Sequence, residues 1–303
     1  VADRPVVWIP RPVHTDALDM LRERTEVRLG YGDDETTFDE VSGRVGAILL
    51  RTVRVDGDMM RRAPALRIVA RHGVGVDTVD LETARELGIT VTTTPTANTQ
   101  SVAEHTIALL LAVRRGIGMV VRGDGAARAA IHGRELAGST LGLVGCGRIA
   151  SRVAHIARHG FDMRVLGHDP MLTAEQIVAA GAEPRTLEAL LAESEVVSLH
   201  VPLTDATRGL IGLRELLTMP PGGVVLNTSR GGTLDEHALL SVLRQGHLAG
   251  AGLDVTTVEP LPADHPLRGD PSVVITPHVG AQTAEALRRM ATEAATRILE
   301  HLG

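Results

Sequence analysis

The chain has 303 residues, a formal charge of -6 at pH 7 and only 1% aromatic residues. That length suits two ordinary domains with large buried cores, although a single barrel domain also fits it. The acidic balance and scarce aromatics leave no basic stripe or stacking platform, so no nucleic-acid partner is expected.

The first apolar run, Val6 to Ile9, predicts a strand, and a helix is predicted around Thr15 to Arg24. Strands are predicted at Ala47 to Leu50, Ile68 to Ala70 and Thr90 to Thr92, with a helix near Asp80 to Leu87 that Gly88 closes. A long apolar-rich helix, about Thr99 to Arg115, leads through a glycine- and alanine-rich stretch into a second series. Its predicted strands are Leu141 to Val144, Met163 to Gly167, Val196 to Val201, Val224 to Asn227, Gly250 to Asp254 and Val273 to Thr276. Thr173-Ala174-Glu175-Gln176 has the spacing of a capping box, Asp235 starts a helix that Gly246 ends, and Thr283 to Leu302 reads as one terminal helix. Such alternation points to an α/β protein with parallel sheets and crossover helices.

Several function classes drop out. No apolar stretch nears the roughly 18 residues of a membrane helix, since Ile107 to Val113 is the longest clean run in the central helix. Val1-Ala2-Asp3-Arg4-Pro5 lacks the layout of a signal peptide, so a cytoplasmic protein with no membrane partner is expected. The single cysteine, Cys146, cannot form an internal disulfide and fits a reducing compartment. No metal site is expected. All 31 basic residues are arginine, which removes Schiff-base chemistry and the Walker phosphate loop. A Tyr-x-x-x-Lys pair is also absent, because the only tyrosine, Tyr31, is followed four residues later by Glu35.

Leu141 to Ala150 reads as an apolar strand, a glycine turn and a helix start, the context of a dinucleotide fingerprint. Gly145 makes the tight turn, Gly147 lets a pyrophosphate approach the backbone, and Ala150 is small enough for close helix-strand packing. Asp169 stands 24 residues after Gly145, where an adenosine-ribose partner belongs, though a turn or cap role is the plain alternative. A carboxylate there accepts ribose hydroxyls and repels a 2′-phosphate. Pro170 and Met171 offer no arginine for one, so the cofactor expected is NAD rather than NADP. Cys146 reads as a small residue filling the loop rather than a redox group.

Arg230, Glu259 and His278 each lie just past an apolar run, where ligands bind in open α/β sheets. His278 suits proton transfer near neutrality, Glu259 could favour its charged form, and Arg230 could pair with a carboxylate and polarise a keto oxygen. Taken singly, each has a bland reading: a surface ion pair for Arg230, a solvated loop acid for Glu259, a strand-end cap for His278.

With these residues in view, the chain resembles the D-isomer-specific 2-hydroxyacid dehydrogenase family over nearly its whole length. The likeness rests on Arg71 to Asp77, Asn98 to His105, the glycine turn, His200 to Thr204, Asn227 to Glu236, Gly252 to Pro262 and Thr276 to Glu285. It implies two Rossmann-like or flavodoxin-like domains with parallel sheets and an active-site cleft between them. The substrate-binding domain would comprise residues 1–97 plus 283–303 and the NAD-binding domain 98–282. It further implies that Arg230 binds substrate, Glu259 supports His278, and His278 is the acid in reduction and the base in oxidation. The cofactor set it implies runs from Gly145, Cys146, Gly147, Arg148, Ile149 and Asp169 through His200, Pro202 and Thr207 to Thr228, Ser229, Arg230, Asp254, His278 and Gly280. Val74 and Gly75 would grip the substrate carboxylate through their backbone.

The same likeness implies a homodimer joined through the helix near Ser101 to Arg115, whose leucine face could equally be intrachain core. Arg51 resembles a contact to the far anionic end of substrate in phosphoglycerate-type members, with a surface arginine as the alternative. The expected substrate is a small anionic 2-hydroxy or 2-keto acid, 3-phosphoglycerate being one candidate, in which case no room follows Leu302 for a regulatory domain. Glu259 argues against formate dehydrogenase, which needs no base for a hydroxyl proton. His168 departs from the aromatic residue common beside the ribose acid, and the linker around Ala126 to Ile131 lacks the tryptophan many members carry. A dinucleotide-responsive corepressor is the competing reading from another class.

Overall fold

The computed structural model describes residues 4–121 and 133–303. The linker around Ala126 to Ile131 lies outside them. The chain divides into one unit of Val1–Asn98 with Ala281–Gly303 and another of Thr99–Gly280.

The first unit is a five-stranded parallel sheet built from β1 (Val6–Ile9), β2 (Glu26–Leu29), β3 (Val45–Leu50), β4 (Ile68–Arg71) and β5 (Thr90–Thr92), in the order β2-β1-β3-β4-β5. Successive side chains point to opposite faces, and the central strands β1, β3 and β4 are apolar on both. Trp8, Ile48 and Leu50 therefore join one core with Phe38 and Met60, while Val7, Ile9, Ala47 and Leu49 join the other. The second core is closed by the terminal helix Ala284–Leu302, whose Ala291, Ala294, Ala295 and Ile298 stand at helical spacing and are buried there. Thr283 caps that helix by accepting from the Ala286 amide at 3.2 Å. β2 is absent from the expectations because Glu26-Val27-Arg28-Leu29 is half polar and only partly buried, so it carries little apolar signal.

The second unit is a seven-stranded parallel sheet: β6 (Thr140–Val144), β7 (Arg164–His168), β8 (Glu183–Pro184), β9 (Val196–Leu199), β10 (Gly223–Asn227), β11 (Leu248–Leu253) and β12 (Val273–Ile275). Its order is β12-β11-β10-β9-β6-β7-β8. β9 stops at Leu199, two residues short of the expected end: the His200 amide makes the last bond to β6, at the Val144 carbonyl, and the chain then turns through Pro202, which has no amide hydrogen to give. β7 starts and ends one residue later than its apolar run suggests. The long helix is Thr99–Arg114, and its Ala103, Ile107, Leu109 and Leu110 are buried in this unit's own core. The leucine face is thus intrachain packing.

Local signals are realised as bonds. Thr173 and Gln176 form the reciprocal capping box, with the Gln176 amide 3.3 Å from Thr173 Oγ1 and the Thr173 amide 2.8 Å from Gln176 Oε1. Asp235 caps Glu236–Arg244 by accepting from His237 and Ala238.

Register is what positions the site. Val144 pairs with His168 and with Leu199, Leu199 with Asn227, Asn227 with Leu253, and Leu253 with Ile275. The carboxyl ends of six strands are therefore level, and the residue after each forms one row: Gly145, Asp169, His200, Thr228, Asp254 and Thr276.

Candidate active site

The strand order reverses between β6 and β9, and an open α/β sheet binds its ligand at such a switch point. Gly145 turns there with φ +90, and a Cβ on it would lie 2.8 Å from the His200 carbonyl oxygen, so both conformation and space demand glycine. A Cβ on Gly147, by contrast, would meet no atom within 4 Å. Gly147 is the N-cap of helix Arg148–Phe161 and supplies no side-chain cap, leaving the first-turn amides for an anion. Ala150 is fully buried against the sheet. One oxygen of Asp169 accepts from the Cys146 amide at 3.0 Å and the other from Met171 at 2.9 Å, which fixes the carboxylate beside the turn. These residues fit a dinucleotide, with pyrophosphate at the helix start and ribose at Asp169. Burial, with the Asp169 charge adding to it, pushes the Cys146 thiol up to about 12, so it is a packing group rather than a nucleophile.

Arg230, Glu259 and His278 are carried on the loops that follow β10, β11 and β12, three neighbouring strands with level ends. Asn227 organises the first loop. Its Oδ1 accepts from the amide and hydroxyl of Ser229, and its Nδ2 donates to the Arg230 carbonyl at 2.9 Å. Gly231 then allows close approach to the second loop, since a Cβ on it would collide with the Thr256 carbonyl. In the second loop Thr256 donates its amide to Glu259 Oε1 at 3.2 Å. Glu259 Oε2 lies 2.8 Å from His278 Nδ1. That hydrogen bond is the main cause raising the His278 pKa above its ordinary value; burial opposes it, the charges of Glu259 and Asp254 add to it, and the Arg230 charge lowers it. His278 itself has φ +53, a left-handed conformation uncommon outside glycine.

Asp254 is almost fully buried. Oδ1 accepts from Thr276 Oγ1 at 2.6 Å and the Val279 amide at 2.8 Å, and Oδ2 from the Gly280 amide at 2.8 Å. His105 Nε2 lies 3.2 Å from Oδ1. Burial raises this carboxyl, yet the hydrogen bonds, led by His105 and Thr276, outweigh it and hold the pKa below the usual value. Its oxygens are thus engaged by the chain itself, which makes it a pin for the His278 loop. Thr228, also largely buried, bonds Thr106 at 2.9 Å.

The remaining expected residues stand as follows. His200 is partly buried, bonded to Ser198 Oγ at 2.9 Å and lowered by burial to about 4, so it stays neutral. Thr207 bridges the turn after Pro202, donating to the Pro202 carbonyl at 2.6 Å. In the first unit, Arg51 follows β3 at that sheet's own switch point and donates to Pro12 O at 2.9 Å and Gln282 Oε1 at 3.0 Å. Gly73, with φ +137, is tied to Thr94, and among the described residues the amides of Val74 and Gly75 donate to no other group. Sequence reasoning assigned no role to Asn227, Thr256 or His105. The one histidine of helix Thr99–Arg114, just ahead of its apolar run, was the available signal for the last.

A doubly wound sheet with a glycine turn, an acid after the second strand and a histidine-glutamate pair defines a dinucleotide-dependent oxidoreductase. Residues 104–280 match the model of the D-isomer specific 2-hydroxyacid dehydrogenase, NAD binding domain. The chain is 41% identical to a glyoxylate reductase of Aeropyrum pernix, covering 98% of this chain and 92% of that protein. It is 39% identical to a D-3-phosphoglycerate dehydrogenase of Mycobacterium leprae, covering 98% of this chain but only 56% of that protein. The crystal structure of the TT0316 protein from Thermus thermophilus superposes with TM-score 0.86 at 41% identity, covering 98% and 96% of the two chains. The chain therefore belongs to the D-isomer-specific 2-hydroxyacid dehydrogenase family, and it is an NAD-dependent enzyme.

Proposed function

We propose that the protein interconverts a short anionic 2-keto acid and its D-2-hydroxy acid, with His278 as the acid and base. The observation that carries this reading is the 2.8 Å contact between Glu259 Oε2 and His278 Nδ1. Because Nδ1 is committed to Glu259, Nε2 is the nitrogen left to give a proton to the keto oxygen in reduction and to take it back in oxidation. When bound, NAD supplies or accepts the hydride. Arg230 stabilises the negative charge that grows on the oxygen and holds the substrate carboxylate. The bare amides of Val74 and Gly75 are carboxylate donors by the same reading, and NAD would contact the set of residues, from Gly145 to Gly280, that the family resemblance implies.

Arg51, whose guanidinium already bonds the chain at Pro12 and Gln282, favours a short acid of the glyoxylate type over 3-phosphoglycerate. Turnover of a panel of 2-keto acids with NADH, including glyoxylate and 3-phosphohydroxypyruvate, tests this. Failure with every 2-keto acid would overturn the assignment. A cytoplasmic homodimer completes the proposal, supported by the exposed apolar Ile117, Val120 and Val121 on helix Ile117–Val121 and checked by solution mass.

Two results are expected here. Asp169→Ala should lower the NAD/NADP selectivity ratio by about 10- to 100-fold, the worth of a charge-assisted hydrogen bond; paired steady-state kinetics with both cofactors read it. Glu259→Gln removes the largest cause raising the His278 pKa. Reduction uses the protonated imidazole, which exists below that pKa. The variant should therefore lose reduction at a lower pH than the wild type, with a rate about 10- to 100-fold down at pH 8. An unchanged pH profile would remove Glu259 from its supporting role.

A further inference from the structure

The loop Thr276–Gly280 holds His278 in a left-handed conformation, φ +53, that a free loop would rarely adopt. Four backbone groups resist its relaxation. The His278 amide donates to the Asp254 carbonyl at 2.8 Å, the Val279 and Gly280 amides donate to the Asp254 carboxylate, and the Gly280 carbonyl accepts from Ser101 Oγ at 2.8 Å. Three of these contacts depend on where Asp254 sits.

The carboxylate is oriented in turn by two side chains. Thr276 Oγ1 lies 2.6 Å from Asp254 Oδ1, which as a carboxylate can only accept, so the hydroxyl hydrogen points at Asp254. His105 Nε2 lies 2.9 Å from the same hydroxyl and 3.2 Å from Oδ1, so Nε2 carries a hydrogen and donates to this pair. His105 is on helix Thr99–Arg114, whose neighbouring turns are locked into the unit's core by Val102, Ala103 and Ile107. It is thus the link between a rigid element and an otherwise loop-borne carboxylate.

We propose that His105 is a positioning residue for proton transfer: by donating to Thr276 and Asp254 it holds the Thr276–Gly280 loop so that His278 meets Glu259. The proposal rests on the reading of His278 as the acid and base. His105 touches neither substrate nor cofactor in it. The charged groups facing His278 are Glu259 and Asp254 on the loop after β11 and Arg230 on the loop after β10. Loosening the loop lengthens the contact to Glu259 first, because that is the only one of the three made by a direct hydrogen bond from the imidazole.

The test compares His105→Leu, which removes the donor, with His105→Gln, which can return a donor at the Nε2 position. His105→Leu should cut kcat for keto-acid reduction by about 10- to 50-fold, leave the Kd for NADH within about twofold, and move the loss of reduction to lower pH. His105→Gln should recover most of both changes. Thr276→Val should reproduce the His105→Leu effect, and the double variant should lose little more than either single one, as members of one network do. A folded His105→Leu with unchanged kcat and pH profile overturns the proposal, and so does a kcat loss matched by an equal loss of NADH binding with no pH shift. His278→Ala assayed alongside separates the two levels. If it alone abolishes turnover, only the positioning role fails; if it turns over normally, the acid-base reading beneath it has failed.

Discussion

Replacing His278 with alanine is expected to lower kcat in both directions by about 10²- to 10⁴-fold, the usual worth of a positioned general acid or base. NADH affinity should stay within about twofold, because the turn at Gly145 and Gly147 and the carboxylate of Asp169 do not involve the imidazole. Position 278 has φ +53, so alanine changes the backbone preference as well as the chemistry. His278→Asn controls for that, since asparagine tolerates the left-handed region but cannot serve as a proton donor near neutrality. Both variants should fail alike in stopped-flow reduction of the keto acid while still quenching or enhancing NADH fluorescence on binding. Retained turnover in His278→Asn would end the assignment.

Removal of the Arg230 guanidinium should cost about 10²- to 10³-fold in kcat/KM for the keto acid, comparable to deleting one preorganised donor to a developing oxyanion. The Asn227 and Thr233 bonds to the loop should persist in Arg230→Ala, because they are accepted by the Arg230 carbonyl, at 2.9 Å and 2.7 Å, whereas the guanidinium's own bond to the Ser229 carbonyl is lost. Arg230→Lys should not restore the rate, since an ammonium lacks the planar fork. The pH profile gives an independent reading with a definite sign. The Arg230 charge lowers the His278 pKa, so its removal lets that pKa rise and reduction persists to higher pH. Glu259→Gln moves the same limb the other way. Equal loss of keto acid and NADH affinity in Arg230→Ala would contradict the role.

Much of the architecture was readable from the letters because it depends on short-range patterns. The strands β1, β3, β4, β6 and β10 are short runs of apolar residues, and each run buries both of its faces. Thr173, Asp235 and Thr283 announce helix starts because their side chains bond amides two or three residues on. What stayed hidden has an equally physical cause. β2 is half polar, and β8 is only two residues long, so neither carries a periodic signal. Glu259 sits six residues past β11 in a loop whose composition reads equally as a solvated acid, and its reach to His278 exists only once β11 and β12 lie side by side. His105 and Asp254 were each visible in a motif, but nothing in either motif says that one donates to the other.

The amino-acid order alone determined the alternation of strands and helices, the glycine turn at Gly145 and Gly147, and the acid that follows the second strand of that unit. These follow from local backbone preference and from the period at which apolar side chains repeat. The tertiary structure alone decided that Arg230, Glu259 and His278 share one corner and that Asp254 spends its oxygens on the loop instead of leaving them open. The reason is that strand order and register are settled by packing across the whole sheet. Only when Asn227, Leu253 and Ile275 pair in one row do the loops beyond them come within hydrogen-bonding distance.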